Sequence, residues 1–384
     1  MLSPLSLPPL SLYIHVPWCI RKCPYCDFNS HAKGPDGIPE GQYIEALLKD
    51  FQLELPKVQG RELQTIFIGG GTPSLLSPQG YQRLFDGLKG MIPFSSEIEI
   101  TLEANPGTYE HGRFQGYFDA GVNRLSLGVQ SFQNNKLKAL GRIHSAEEAV
   151  EAISSLQQEN NSQVNFNIDL MHGLPDQSRD DALNDLKMAI SLKPTHISWY
   201  QLTIEPNTVF YSKPPAIPED DILWSIQESG QQLLADSGYR QYEISAYSLP
   251  GKQARHNLNY WQFGDYIGIG AGAHGKWACA RTGDISRNWK TRMPQDYLSA
   301  GKAFQAGLRT LEASEIPLEF MMNALRLYHG VDASLYEKRT GQPLSSINKG
   351  LSEAVQKGLM VKEKRLAPTE QGRLFLNDLL ELFA

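Results

Sequence analysis

Cysteine is scarce in this chain of 384 residues: there are four, and Cys19, Cys23 and Cys26 sit together near the amino terminus. So few, and so clustered, they exclude a disulfide-stapled secreted scaffold and fit a reducing, cytoplasmic setting. No apolar run approaches the ~20 residues that a membrane-spanning helix needs, so no stable membrane insertion is expected. The first residues, MLSPLSLPPLSLYIHV, have no basic segment and carry three prolines, which argues against a signal peptide. Nor is there an excess of positive charge. Lys and Arg number 36 against 42 Asp and Glu, a net −6, which disfavours nucleic acid or an anionic membrane as the main partner. No repeat period stands out. What remains, 41% hydrophobic and 20% charged residues, is an ordinary globular composition long enough for two or three domains.

From residue 12 to about 205 short apolar runs alternate with amphipathic stretches. Strands are expected at 12–16, 65–69, 98–103, 124–129, 164–170 and 196–202, all short and rich in β-branched or aromatic residues. Between them, Tyr81, Leu84, Phe85, Leu88 and Ile92 share one helical face, as do Leu183, Leu186 and Ile190. Ser145 with Glu148 reads as a capping box. Six strands with helical crossovers imply a parallel α/β sheet, either doubly wound or curled into a partial barrel.

Polar residues favour the barrel. Glu103, Gln130 and Asp169 each stand at or just past the carboxyl end of an expected strand, and Gly69–Gly71 do the same. In α/β barrels that rim carries the chemistry. Each residue alone reads equally well as a loop or capping group; several in one register point to a site. The three cysteines follow the first strand directly, on the same rim.

Three parts are expected: a core barrel over 1–250, a connecting region over 251–305 rich in glycine and aromatics, and a carboxy-terminal domain over 306–384. The last part joins helical stretches to a hairpin-like MVKEKRLAP at 360–368 and a terminal helix, a winged-helix-like pattern. Its charges balance, so it lacks the footprint of a DNA reader. GIGAGAHG at 268–275 lacks the spacing of a dinucleotide fingerprint. Cys279, alone, reads as a small buried hydrophobe.

CIRKCPYC has the spacing C-x3-C-x2-C. Zinc is one occupant, with His15, Asp27 or His31 as fourth ligand, although no second pair of zinc-type ligands follows. The other is an iron–sulfur cubane held by three thiolates, which leaves one iron open for a small molecule.

This spacing after the first strand, paired with GGGTP at 69–73, resembles the radical S-adenosylmethionine (SAM) superfamily. The resemblance implies a partial (β/α)6 barrel and a 4Fe-4S cluster on Cys19, Cys23 and Cys26. It also implies SAM chelating the open iron and being cleaved by one electron to methionine and a 5′-deoxyadenosyl radical. YIHVPWCIRKCPYC, FIGGGTPSLL, TLEANP, LGVQSF, LGRIHS and DLMHGLPDQS further resemble the oxygen-independent coproporphyrinogen III oxidase family. Carried over, this places Tyr13, Gly70, Gly71, Thr72, Glu103, Gln130, Arg142 and Asp169 around SAM. Arg142 can grip a carboxylate in a fork; as a plain surface charge it reads nearly as well.

Three departures separate the chain from the oxidases. Phe28 stands where their motif continues with a further cysteine. Only twelve residues precede Tyr13, where the oxidases carry a long extension. HNLNYW at 256–261 resembles the HN-x-x-YW signature of the HemW branch, described as haem chaperones. That branch implies haem as a bound group, a haem-accepting protein and an electron donor as partners, no nucleic acid, and a monomer or weak dimer. His256 is then a candidate haem ligand, since neutral imidazole serves as an axial ligand, with Tyr260 and Trp261 against the macrocycle. A histidine bonded inside the core is the competing reading, and His274 is a second candidate. The oxidase activity, decarboxylating two propionates of coproporphyrinogen III, is the alternative function.

Overall fold

The protein, in a computed structural model, is described over residues 7–107, 113–159, 164–361 and 364–384. Six strands fall where the apolar runs place them: β1 (Leu10–Val16), β2 (Leu63–Gly70), β3 (Phe94–Ala104), β4 (Arg124–Gln130), β5 (Phe166–His172) and β6 (His196–Gln201). Each pairs with the next in parallel. The helices between them include α1 (Glu40–Val58), α2 (Pro78–Lys89), α3 (Phe114–Ala120), α4 (Ala146–Glu159), α5 (Arg179–Ser191) and α6 (Asp220–Asp236). The capping box ahead of α4 is present: Ser145 N–H donates to Glu148 at 2.8 Å and Glu148 N–H to Ser145 at 3.2 Å.

Alternation along the strands explains the curl. Side chains of a strand point to opposite faces in turn. On β1, Leu10, Leu12, Ile14 and Val16 share a face, and all are fully buried in one core with Tyr43, Leu47 and Phe51 of α1. Ser11, Tyr13 and His15 take the other face. Their counterparts are Thr65 on β2, Thr101 and Glu103 on β3, Ser126 on β4, and Asn167 and Asp169 on β5. The helices therefore cover an apolar exterior, and the concave face is lined with hydrogen-bonding groups.

The same sheet continues past residue 205, where the sequence carries no clear alternation. β7 (Arg240–Glu243) and β8 (Ala246–Ser248) extend it beyond β6. On the far side β9 (Asp265–Ile269) lies parallel to β1, followed by the antiparallel β10 (His274–Ala278), β11 (Ile285–Lys290) and β12 (Gln305–Thr310). The described residues thus form one twelve-stranded sheet, ordered β12-β11-β10-β9-β1-β2-β3-β4-β5-β6-β8-β7. The glycine- and aromatic-rich stretch supplies three of those strands. Lys290 of β11, 1% exposed, anchors this wing: it donates to Asp50 and, at 2.8 Å, to Glu54, both on α1.

A second core, built on Phe263, Phe320, Tyr336 and Leu379, joins the carboxy-terminal helices, beginning with α8 (Ile316–Ala324), to Ala246, Ala278 and Ile285 of the sheet. Of the hairpin expected at 360–368, Met360 bridges Pro368 and Val361 N–H donates to Ala367 at 3.1 Å; its residues 362 and 363 lie outside the described residues. Val331–Asp332 adds a strand against Arg365–Leu366. Among the described residues no helix is long and apolar enough to cross a membrane.

Candidate functional site

β1 ends at Val16 and the chain turns directly into the cysteine segment. That turn is stitched to the glycine run after β2: Gly71 N–H donates to Val16 and Thr72 N–H to Trp18, both at 2.7 Å. A Cβ at Gly71 would lie 2.3 Å from the Trp18 carbonyl oxygen, so no side chain fits. Gly70 has φ +119°, a conformation open to glycine and strained for other residues. The tight packing of these loops onto each other is why the glycines are there.

The thiols of Cys19, Cys23 and Cys26 line a cavity of about 510 Å³, and Gly70, Gly71, Thr72, Glu103, Gln130, Arg142 and Asp169 line it too. Three strand ends and two loops thus converge as the rim register implies. Burial, with the neighbouring cysteine charges, pushes the Cys19 thiol up to about 11, Ser30 opposing. A thiol that binds metal therefore gives up its proton on binding.

The polar wall is itself ordered. Asp169 accepts from Ser126 at 3.0 Å and Asn167 at 2.8 Å. Glu103 accepts from Gly70 N–H at 3.3 Å. Burial first, then the charge of Asp169, raises the Glu103 carboxyl to about 8. Gln130 has φ +71°, rare for a residue with a side chain, and its Oε1 accepts from Tyr200 at 2.8 Å. Arg142 is no plain surface charge. Its Nη2 donates to Gly128 at 2.6 Å and to Asn105, Nη1 lies 3.8 Å from the Cys23 sulfur, and Nε is buried without a partner among the described residues. Asn105 also donates to Thr72 at 3.2 Å, so it ties the glycine loop to the arginine. The sequence reading passed over Asn105, although it stands inside TLEANP.

Tyr13 lies elsewhere. It faces a second cavity of about 530 Å³, between β1 and the β9–β11 wing, together with His15, Tyr260, Trp261, Tyr266 and His274. Phe28, Gly70, Glu103 and Trp261 wall both cavities. Phe28, where the resemblance would place a cysteine, is 62% exposed. His15, considered above as a zinc ligand, has both ring nitrogens occupied, by Tyr13 and the Asn29 carbonyl at 2.9 Å each.

The HNLNYW stretch forms α7 (Arg255–Trp261), which plugs the concave face of the sheet. His256 is 1% exposed. Its Nδ1 lies 2.7 Å from Thr65 Oγ1 and its Nε2 2.9 Å from Tyr260 Oη, while its N–H donates to Glu99 at 3.1 Å. A neutral ring donating at Nδ1 and accepting at Nε2 satisfies this geometry, and burial holds its pKa down at about 3. Neither nitrogen is free for iron, so the haem-ligand expectation for His256 gives way to the core histidine. Asn259 completes the plug by donating to Ser11 at 2.8 Å. Cys279 is half-buried at the β10–β11 turn, not in the core.

Three thiols on one cavity are a donor set that an iron–sulfur cluster takes. Among the described residues no three His, Cys, Asp or Glu side chains converge as a single metal ion needs. A cubane attaches each thiolate to a different iron and does not require that convergence.

A model of the radical SAM superfamily matches residues 13–186, and one of the HemN C-terminal domain matches 311–375. The chain is 53% identical to the heme chaperone HemW of Escherichia coli, over 98% of this chain and 99% of that protein. It is 51% identical to the HemW of Haemophilus influenzae, over 98% of each. It is also 32% identical to the mitochondrial radical S-adenosyl methionine domain-containing protein 1 of Mus musculus, over 96% of this chain and 86% of that one. Its fold superposes on the coproporphyrinogen III oxidase (HemN) of Escherichia coli with a TM-score of 0.80 at 22% identity, covering 98% and 90% of the two chains.

Proposed function

The chain belongs to the radical SAM superfamily and, within it, to the HemW family, and from that premise we propose that it is a haem chaperone that receives haem and passes it to an acceptor protein. One observation carries the reading: the three thiols and seven of the eight proposed SAM contacts line a single cavity. Cys19, Cys23 and Cys26 would hold a 4Fe-4S cluster. Gly70, Gly71, Thr72, Glu103, Gln130, Arg142 and Asp169 would surround SAM, and Tyr13 would act from the adjoining cavity. When bound, the cluster supplies a one-electron reductant with an open iron site. The residues themselves orient and neutralise: Glu103 and Asp169 accept from an ammonium or ribose hydroxyls, and Arg142 meets a carboxylate. An electron donor, an acceptor protein, a cytoplasmic setting and a monomeric or weakly dimeric state complete the proposal, with neither nucleic acid nor stable membrane insertion among its partners.

The test sets the chaperone against the oxidase. Anaerobically reconstituted protein should bind one haem per chain, seen in its visible spectrum, and should not turn over coproporphyrinogen III. Multiple turnovers to protoporphyrinogen IX without haem binding would overturn the proposal.

Glu103 makes the SAM site pH-dependent. The acid form prevails below about 8 in the free site, whereas an ammonium ligand favours the carboxylate. Binding then releases a proton below that pH, so SAM affinity should climb by up to about tenfold per pH unit and level off above it. Glu103→Gln should weaken SAM and flatten that profile in calorimetric titrations. The same shift makes the free fold bind this proton more tightly than the unfolded chain, so stability declines as pH rises from 4.5 towards 8.

A further inference from the structure

We propose that the cavity between β1 and the β9–β11 wing is the haem site, with His274 as axial ligand, Tyr260 and Trp261 against the macrocycle, and Arg287 and Arg292 toward the propionates. This rests on the haem-chaperone reading and names its site. The cavity, about 530 Å³, lies within the range for cofactor pockets, which pair apolar and aromatic walls with a few placed polar groups. His15 and His256 have both ring nitrogens engaged. His274, at the start of β10, is exposed, lines the cavity, and makes no side-chain hydrogen bond among the described residues.

Two further wall groups are unspent. Among the described residues the Nε1 of Trp261 and the Nε of Arg287 are buried without hydrogen-bond partners, and buried polar atoms in that state are uncommon enough to require an account. Both belong to side chains lining this cavity. Arg287 is already paired with Glu319, which fixes its guanidinium; Arg292 is exposed at the rim. Two cations beside an aromatic wall match the two carboxylates on one edge of haem. The plug of α7 supplies the aromatic part: Tyr260 is held by His256, and its ring packs edge-on to Tyr266 at 4.6 Å. In this arrangement the HNLNYW stretch serves haem through Tyr260 and Trp261, with His256 as a positioning residue.

The experiment titrates full-length protein with ferric haem, metal-free protoporphyrin IX and haem dimethyl ester, following absorbance and tryptophan quenching. His274→Ala should weaken ferric haem on the order of tenfold or more, and change the Soret band, with little effect on the metal-free porphyrin. Trp261→Ala should weaken all three ligands. Arg292→Glu, at an exposed position, should weaken haem but not its ester, and keeps the test valid if His274→Ala fails to fold. Circular dichroism and iron and sulfide content monitor folding and the cluster site in each variant. Wild-type protein that binds no haem removes the chaperone reading and this site with it. Wild-type binding left unchanged in affinity and spectrum by folded His274→Ala and Arg292→Glu overturns the site alone.

Discussion

Replacing any one of Cys19, Cys23 or Cys26 by alanine should take anaerobically reconstituted protein from roughly four irons and four sulfides per chain to almost none. All three cysteines line one cavity, and among the described residues no group of three His, Cys, Asp or Glu side chains is placed to hold a single ion in their stead. Two thiolates and an open corner do not hold a cubane. The fold should survive, because the segment hangs on backbone bonds to the glycine run that these substitutions leave alone. Iron, sulfide and zinc measured on the same samples decide the matter. A full cluster in all three variants, or one zinc per chain in the wild type, would refute the ligand assignment.

Lys290→Met should cost about 3–5 kcal/mol, the penalty for removing one partner from a buried ionic group. Asp50 and Glu54 would be left facing each other, 0% and 3% exposed, without their shared cation. Asp50 also accepts from Tyr297 at 2.7 Å and from Gly270 N–H at 3.3 Å, so the loss spreads to the loop after β9. A fall of the thermal midpoint by about 5 °C is expected, smaller at low pH, where Asp50, its pKa raised by burial, takes up a proton. Lys290→Met combined with Asp50→Asn should recover part of it. A single variant as stable as the wild type would show that this triad does not anchor the wing.

Much of the barrel was legible because its signal is local. β1 to β6 show themselves through alternation and turn residues, and the capping box at Ser145 needs only its own neighbours. The cysteine segment and the rim residues shared one register, so their convergence could be read without coordinates. The wing could not. β10 and β11 are stabilised by pairing and by Lys290 reaching α1, across some 240 positions of chain. Their sequences, HGKWA and ISRNWK, hold lysines that alternation assigns to solvent and the fold buries. His256 failed in the same way: the hydroxyls that claim its nitrogens include Thr65, 191 positions away. Tyr13 lines the adjoining cavity, which it shares with Gly70 and Glu103 of the cysteine cavity, a division that one strand's sequence does not reveal.

The wall common to both cavities has one more effect. Phe28, Gly70, Glu103 and Trp261 belong to each, so a guest on one side presses on surfaces that shape the other. Any energetic penalty or gain felt by the porphyrin when the nucleotide arrives must, by thermodynamic reciprocity, be felt equally by the nucleotide when the porphyrin arrives. Loading and delivery could thereby be timed through a partition four residues wide.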